Sequence, residues 1–435
     1  MRKSVLMLVM AVLSILIVGV SATRSAPAAL PTLGGCQVLP VDNVWNMPID
    51  QLPVDIRSDE YITTIGRNIA LHPDFGANWN GGPFGIPYVI VPPNQALAPI
   101  HFTAYGTESD PGPYPIPPSA PIEGGVNSTG DRHVLVMRQG ECKLYELYRA
   151  FPNVDGSWNA DSGAVFDFKS NALRPDTWTS ADAAGLPILP GLVTFDEVAS
   201  GEIRHALRFT ANLTQKNHVW PARHDASSST NTARPPMGQR FRLKASVDIS
   251  SYSAPVQVIF RAFKTYGLIL ADNGSNWYVS GAPDARWNDD MLVSAFRQLK
   301  GSDFEAVDVS SLMVDPNSGQ VLSDFILNAV PSVRAIAPGE TTNYQLSLAA
   351  HGNWNETVTV TASSPSPSIT VGLSGSIVSV PGVVTLAVTD THPIGSPGTW
   401  YTLPITATGS SVMHGVNVGL LIGGTKTYLP IVLRQ

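Results

Sequence analysis

The chain of 435 residues contains only two cysteines, Cys36 and Cys142. Neither is accompanied by other residues at metal-ligand spacing, which excludes a cysteine-based metal site. In an oxidising compartment we expect the two cysteines to form one disulfide, and two separate buried thiols are the alternative. A bridge that closes a loop of about 100 residues contributes roughly 4–5 kcal/mol in the chain-entropy description.

Charged residues are also scarce, at 14% of the chain, and the net charge is -7. No basic block is present, which excludes duplex nucleic acid as an expected partner. Long helical patterns are rare, whereas 37 glycines and 36 prolines are scattered along the chain without a period. This composition favours many turns and short strands, and the length predicts two or three domains.

The known sequence motifs of nucleophilic and nucleotide-binding sites are missing from the main part of the chain. There is no Gly-x-Ser-x-Gly elbow, no P-loop and no dinucleotide fingerprint, and residues 227–230 form only a polar run. The sequence therefore predicts no cofactor, and it does not identify a reaction.

The one long hydrophobic run lies at the start of the chain. Arg2 and Lys3 precede an apolar stretch from Val5 to Val20, which is followed by small residues up to Ala22. This pattern predicts a signal peptide over 1–22, a leader over 23–35, and a secreted protein that is extracellular or at the cell surface. A single membrane anchor and lipidation at Cys36 are the alternatives, and otherwise no membrane contact is expected.

The segment 36–310 is predicted to form the main β-rich domain. Apolar and alternating runs predict strands, and polar stretches predict short helices. The expected strands are 133–137, 142–148, 206–210, 241–249, 256–263, 268–271 and 277–280, and the expected helices are 59–68 and 289–300. The fold class is therefore all-β: a main β-sandwich of jelly-roll type with few short helices, followed after a linker (311–328) by a second sandwich.

Short strands with Pro and Gly turns continue over 329–422, with a spacing that fits a seven-stranded sandwich. The segments APGETTNYQLSL and GTWYTLPITATG resemble the bacterial immunoglobulin-like modules appended to secreted enzymes and surface proteins. The tail over 423–435 contains YLPIVLR and resembles tails that close exported proteins of Chloroflexota-type bacteria. The resemblance implies a sorting or attachment signal, and a plain final strand is the alternative.

Histidines and charged residues cluster between residues 201 and 230. A histidine beside a carboxylate serves as a general base, so His224 with Asp225 is a candidate catalytic pair. Neighbouring residues are predicted to bind substrate: His205, Arg208, His218 and Arg223. Three histidines also suit a metal, but their spacing matches no known zinc pattern, so no metal is predicted. Structural histidines remain the alternative.

Carboxylates and aromatic residues supply the remaining candidates. Asp272 is predicted to be catalytic, because cleavage of a glycosidic bond requires positioned carboxylic acids. Trp220, Tyr266 and Trp277 are predicted to bind substrate, since aromatic faces stack on sugar rings. Lys264 with Tyr266 is a further acid–base candidate of the kind that polysaccharide lyases use. The alternative is that most of these rings belong to the core.

Several segments of the main domain, among them GEIRHALRFT, WPARHDASSST and YGLILADNGSNWYVSGAPDARWNDD, resemble a family of secreted bacterial proteins of uncharacterised role. The resemblance implies one intact domain and no assigned catalytic residues. From export, aromatic–polar density and the appended module we expect a protein that binds or degrades polysaccharide or a cell-surface glycan, as a glycoside hydrolase or polysaccharide lyase if it is an enzyme. The alternative is a non-catalytic cell-envelope or adhesion protein.

Overall fold

The computed structural model describes residues 32–423, except Asn80, Ser323, 352–353, Asn355, 393–397 and 410–411. The predicted signal peptide, most of the leader and nearly all of the tail lie outside the described residues. Within the described part, no helix is long and apolar enough to cross a membrane.

The prediction of an all-β chain with few short helices is confirmed. The strands up to residue 307 are β1 Thr32–Leu33, β2 Cys36–Gln37, β3 His72–Asp74, β4 Gly76–Trp79, β5 Gly82–Phe84, β6 Tyr88–Val91, β7 Ile100–Phe102, β8 Val134–Arg138, β9 Lys143–Tyr148, β10 Phe151–Pro152, β11 Trp158–Ala160, β12 Ser162–Asp167, β13 Leu207–Ala211, β14 Arg240–Leu243, β15 Leu268–Asn273, β16 Tyr278–Ser280 and β17 Phe304–Val307. The predicted hairpin of β8 and β9 and the strands β13, β15 and β16 are therefore present, whereas the predicted strand 241–249 ends at Leu243.

The two larger sheets of this part have six and four strands. The six-stranded sheet has the order β17-β14-β15-β13-β16-β3, and the four-stranded sheet has the order β12-β9-β8-β6. Both are mixed: β13 runs parallel to β15, β16 runs parallel to β3, and β6 runs parallel to β8. The register of β13 and β15 pairs Thr210 with Asp272, which brings polar residues together in the middle of the larger sheet.

Four α-helices occur among the described residues: α1 Ser58–Ile65, α2 Phe195–Ser200, α3 Ala254–Thr265 and α4 Asp289–Phe296. The predicted strand 256–263 is wrong, because this segment belongs to α3. Its buried side chains include Val256, Ile259, Phe260 and Phe263, which have the 3, 4, 7 spacing of one helical face. Pro255 in the first turn, where no intrahelical N–H bond is lost, was the sequence signal for a helix.

The disulfide between Cys36 and Cys142 is confirmed, with the two Cα atoms 5.5 Å apart. It connects β2 to the turn before β9. Cys36 is buried in a large hydrophobic core that continues as far as Leu312 and Val321. These last two residues lie in the segment 311–328 that was predicted as a linker. That prediction needs correction, since Leu312 and Val321 are apolar side chains packed into the core.

The C-terminal part has its own hydrophobic core, built from residues between Phe325 and Ile422. Its strands are β18 Asp324–Val330, β19 Val333–Ile336, β20 Thr341–His351, β21 Thr357–Ala362, β22 Ile369–Leu373, β23 Ile377–Ser379, β24 Gly382–Asp390, β25 Thr399–Thr408 and β26 Met413–Ile422. They form a four-stranded sheet β18-β20-β24-β22 and a five-stranded sheet β19-β26-β25-β21-β23. This is a β-sandwich, with nine described strands where seven were predicted.

Candidate functional site

Arg208 lies at the centre of a buried group of charges in the main part of the chain. Its side chain on β13 points away from the face that carries Leu207 and Phe209, because side chains alternate along a strand. Its guanidinium donates to both carboxylate oxygens of Asp182, at 3.2 Å from Nε and 2.9 Å from Nη2. It also donates to Ser280 Oγ at 2.7 Å from Nη1. The side chain of Asp182 is fully buried, so this pair is held in a medium of low polarity.

A second carboxylate, Asp272 on β15, approaches the same arginine more loosely, with Oδ2 3.5 Å from Arg208 Nη2. Burial and the neighbouring Asp182 raise the pKa of Asp272 to about 7, although Arg208 lowers it. One positive charge cannot neutralise two carboxylates. Burial raises the pKa of Asp182 as well, although Arg208 lowers it, so the two carboxyl groups compete for one proton. Since Asp182 accepts two hydrogen bonds from Arg208 and Asp272 lies farther from it, we assign the negative charge to Asp182 and the proton to Asp272. The arrangement therefore holds a protonated carboxylic acid near neutral pH.

Asp272 lines a cavity of about 480 Å³ together with His224, Asp131, Asp182 and Tyr148. His224 Nδ1 lies 2.8 Å from the carbonyl oxygen of Ala183. Because a carbonyl only accepts, Nδ1 carries the hydrogen, and in a neutral ring Nε2 is left with a free lone pair. Nε2 lies 4.0 Å from Glu108 Oε2, too far for a hydrogen bond. The cavity thus contains one candidate acid and one candidate base.

A buried ion pair stands beside this cavity. His133 Nδ1 lies 2.6 Å from Glu123 Oε2, and His133 Nε2 lies 3.0 Å from the carbonyl oxygen of Ala181, a residue of the cavity wall. Both ring nitrogens face acceptors, so both carry hydrogens and the ring is positively charged. Burial lowers the pKa of His133, but Glu123 raises it more, to about 9. The ring also packs on Tyr148, with centroids 5.6 Å apart.

This ion pair predicts a pH dependence of stability. The folded-state pKa of His133, about 9, lies above its ordinary value of 6.5, so the folded protein holds this proton more tightly. The stabilisation is complete below about pH 6.5 and is lost as the pH rises through about 9. We expect the melting temperature to fall over this interval, and to fall less steeply in His133→Gln. Thermal unfolding between pH 6 and 10 measures the difference.

The control for this series is His101→Gln, which changes an exposed histidine on β7. We expect it to keep the wild-type slope of melting temperature against pH. Equal slopes in the wild type and in His133→Gln would show that His133 is not charged in the folded protein.

The other predicted histidines lie elsewhere. His205 is buried, with Nε2 2.9 Å from Glu197 Oε1 and Nδ1 2.8 Å from the carbonyl of Ala206. His218 lies between Asp176, at 3.0 Å, and Asp225, at 3.6 Å. His205, His218 and His224 line three different cavities, so the metal-site alternative built on them is wrong. Among the residues that the structure describes, no group of three His, Cys, Asp or Glu side chains is placed to hold a metal ion.

The predicted pairing of His224 with Asp225 is also wrong. His224 faces the cavity of Asp272, whereas Asp225 faces His218. The two residues are adjacent in a segment without regular secondary structure, and their side chains have different partners. Asp225 therefore cannot orient the ring of His224, and the carbonyl of Ala183 does so instead.

His218, Trp220 and Arg223 line a separate cavity of about 560 Å³. Trp220 Nε1 donates to the carbonyl of Ser318 at 2.8 Å. The guanidinium of Arg223 is directed to protein acceptors, among them the carbonyls of Arg174 and Pro316 at 2.8 and 2.7 Å. These bonds fasten the segment around residues 316–318 to the main part of the chain. Trp220 and Arg223 thus have a structural role in this arrangement.

Trp277 and Tyr266 do not reach the cavity of Asp272. Trp277 is fully buried and stacks on Phe209 with ring centroids 5.3 Å apart, so its prediction as a substrate-binding residue is wrong. Tyr266 packs partly buried against the large core. Its proposed partner Lys264 donates to the carbonyls of Ala245 and Val247, which removes the lysine–tyrosine acid–base pair.

Sequence reasoning missed Asp182, Asp131, Glu123 and His133. Asp182 lies in the run Ala181–Gly185 of small apolar residues, and His133 directly precedes the apolar strand β8. An ionisable residue inside such a run needs a buried partner, which was the available signal. The partners themselves are 26 and 10 residues away along the chain.

Comparison with known proteins gives little beyond these observations. No protein-family model and no curated protein matches the chain. Domains 4 and 5 of the S-layer protein SbsC match at a TM-score of 0.19 and 15% identity, over 24% of this chain and 54% of that one. A longer SbsC structure matches at a TM-score of 0.17 and 11% identity, over 66% of this chain and 45% of that one. A structure on T cell specificity and activation by the bacterial superantigen toxic shock syndrome toxin-1 matches at a TM-score of 0.17 and 15% identity, over 23% of this chain and 99% of that one.

Proposed function

We propose that the protein is an extracellular or cell-surface enzyme that hydrolyses polysaccharide in the cavity of Asp272 and His224. The observation that carries the proposal is the presence in one cavity of a carboxyl group whose pKa is about 7 and a histidine whose Nε2 is free to accept a proton. A perturbed acid beside an oriented base in a cavity is typical of catalytic sites. The disulfide is typical of proteins outside the cytoplasm.

In the proposed reaction, Asp272 donates its proton to the glycosidic oxygen as the bond to the anomeric carbon breaks. His224 Nε2 takes a proton from the attacking water, whose oxygen forms the new bond to that carbon. Release of both products returns the proton from His224 to Asp272 through solvent. Arg208 is a positioning residue, because it keeps Asp182 ionised and so leaves the proton on Asp272.

Hydrolysis is favoured over the lyase reaction by the charge of the cavity. Elimination requires a uronic acid, whose carboxylate must approach Asp131, Asp182 and Asp272. Asp131 repels an anionic sugar, Asp182 is already paired with Arg208, and no lysine or arginine is among the described residues that line the cavity.

We expect Asp272→Asn to lower the release of reducing ends from a cleaved polysaccharide by about 10²–10⁴-fold, because the amide cannot donate the acid's proton to the glycosidic oxygen. Wild-type activity falls as the pH rises above about 7, where Asp272 loses its proton. Reducing ends and unsaturated ends are both measured against pH on a panel of plant, fungal and bacterial polysaccharides.

The matched control is Asp248→Asn, which makes the same change at an exposed aspartate in the loop after β14. It keeps wild-type activity. Unsaturated ends in place of reducing ends would identify a lyase, and equal activity of Asp272→Asn and Asp248→Asn would remove Asp272 from the reaction.

The second candidate is a non-catalytic cell-envelope or adhesion protein. It is favoured by the hydrogen bonds that Arg208 and Asp182 make to each other, since such a group also serves as a purely structural buried ion pair. If polysaccharide retains the protein but no new reducing or unsaturated ends form, a binding protein is supported. If the whole panel shows no retention and no new ends, the envelope role is supported.

A further inference from the structure

A second cavity of the main part of the chain is larger than the one that contains Asp272. It has a volume of about 1150 Å³ and is lined by residues of β3, the β4–β5 hairpin, β16 and α4. We refer to it as the hairpin cleft.

The β4–β5 hairpin is fastened to the first residue of α4. Asp289 Oδ1 accepts from the backbone N–H of Ala77 at 2.7 Å, and Oδ2 accepts from that of Asn78 at 3.0 Å. Gly76 leaves room for this contact, because a Cβ there would lie 2.3 Å from the ring of Phe84 and 2.4 Å from Asp289 Oδ1. The hairpin is therefore held in a defined position on the wall of the cleft.

Two aromatic pairs line the cleft. On the hairpin, Trp79 is 66% exposed and its ring centroid lies 6.2 Å from that of Phe84. On the adjoining sheet, Tyr278 packs on His72 with centroids 4.3 Å apart. An indole that stays two-thirds exposed in a large cavity presents a flat apolar face to whatever enters it. Sugar rings offer the complementary surface, an apolar C–H face surrounded by hydroxyl groups.

The polar side chains of the cleft can bind sugar hydroxyls and repel anionic ligands. Asp74, Glu123, Asp289 and Asp290 are acidic, whereas Arg297 is the basic residue among the lining side chains that the structure describes. Carboxylates accept hydrogen bonds from sugar hydroxyls, and an excess of them repels carboxylate or sulfate groups on a ligand.

The hairpin cleft and the cavity of Asp272 share a connection. Glu123 lines the cleft and bonds His133, and the other ring nitrogen of His133 bonds the carbonyl of Ala181 in the second cavity. His133 therefore links one residue on the wall of each cavity.

We propose that the hairpin cleft binds a neutral polysaccharide chain, with one sugar ring stacked on Trp79. This inference rests on the proposed function, because it assigns the binding surface for the same substrate and restricts it to glycans without carboxylate or sulfate groups.

The test is affinity electrophoresis of the full chain in native gels that contain galactomannan or mixed-linkage β-glucan as neutral probes and polygalacturonate as the acidic probe. We expect retention by at least one neutral probe and none by polygalacturonate. Trp79→Ala weakens the retention about tenfold, which corresponds to about 1.4 kcal/mol, because the variant loses an aromatic stacking surface.

The matched control is Trp400→Ala, which removes a tryptophan that is 52% exposed on β25 of the C-terminal sandwich. It keeps wild-type retention. The proposal is overturned by equal retention of Trp79→Ala and Trp400→Ala, by preference for polygalacturonate, or by no retention on any neutral probe.

The two proposals fail separately. If retention of the wild type depends on Trp79 but no reducing ends are released from the polysaccharide, the cleft binds glycan and the hydrolytic function is wrong. If ends are released and depend on Asp272 while Trp79→Ala keeps full retention and activity, the hydrolytic function stands and the cleft assignment is wrong.

Discussion

Replacing Arg208 by methionine is expected to lower the free energy of unfolding of the main part of the chain by about 3–5 kcal/mol. The side chain of Asp182 is fully buried and accepts two hydrogen bonds from this arginine. Without them, a carboxylate stays in the interior with only the backbone N–H of Ala183 as a donor, at 3.0 Å. Urea unfolding followed by tryptophan fluorescence measures the loss, with the slope against urea unchanged.

The double variant Arg208→Met with Asp182→Asn separates the two contributions to this loss. Because an amide costs far less to bury than an unpaired carboxylate, we expect the double variant to recover part of the stability. Arg286→Met is the control: that guanidinium is 53% exposed and pairs with Asp196 and Asp284 at the surface, so little change is expected. An Arg208→Met protein as stable as Arg286→Met would show that the buried pair does not stabilise the fold.

The sequence was sufficient for the fold class but did not identify every element, and the helix α3 is the clearest case. Short apolar runs identify β8, β9, β13 and β15, because these strands are buried on both faces. The segment of α3 contains Val256, Val258, Ile259 and Phe260, and short apolar runs of this kind fit a buried strand and a buried helix equally well. The 3, 4, 7 spacing of its buried residues and the presence of Pro255 indicate a helix. Its valines and isoleucine favour a strand, so the spacing and the proline must be given more weight than these β-branched residues.

The candidate site was predicted only in part, and the reason is distance along the chain. Asp272, Arg208 and His224 were recognised as residue types suited to chemistry, and the structure brings Asp272 close to Arg208 and into one cavity with His224. Asp182 completes the site from a loop 26 residues before Arg208. No local pattern reports such a contact, because it depends on the pairing of β13 with β15 and on the path of the loop that precedes them.

A high density of histidines in the sequence did not predict that they share one cavity. His205, His218 and His224 lie within 20 residues of one another, yet each is directed to a different cavity. The chain turns between them, and each ring is held by its own acceptor. By contrast, the hairpin cleft collects Trp79, Asp74 and Tyr278 from segments about 200 residues apart. Clefts formed between distant strands leave no cluster in the sequence.

Removal of the disulfide is expected to have the other large effect. Cys36 and Cys142 are 106 residues apart, and cross-linking a loop of this length restricts the unfolded chain by about 4–5 kcal/mol in the chain-entropy description. We therefore expect Cys36→Ala with Cys142→Ala to lower the free energy of unfolding by roughly this amount. Reduction of the wild type should produce the same loss, whereas reductant should leave the double variant unchanged.

Calorimetry shows which part of the chain the bridge stabilises. Cys36 belongs to the core that ends near Val321, whereas the C-terminal sandwich buries its own residues between Phe325 and Ile422. Removal of the disulfide should therefore lower the melting temperature of the main part and leave the melting temperature of the C-terminal sandwich unchanged. A loss below about 1 kcal/mol would mean that the unfolded chain is already compact without the bridge, since the effect acts through the unfolded state. A shift of both transitions would mean that the two cores unfold as one unit.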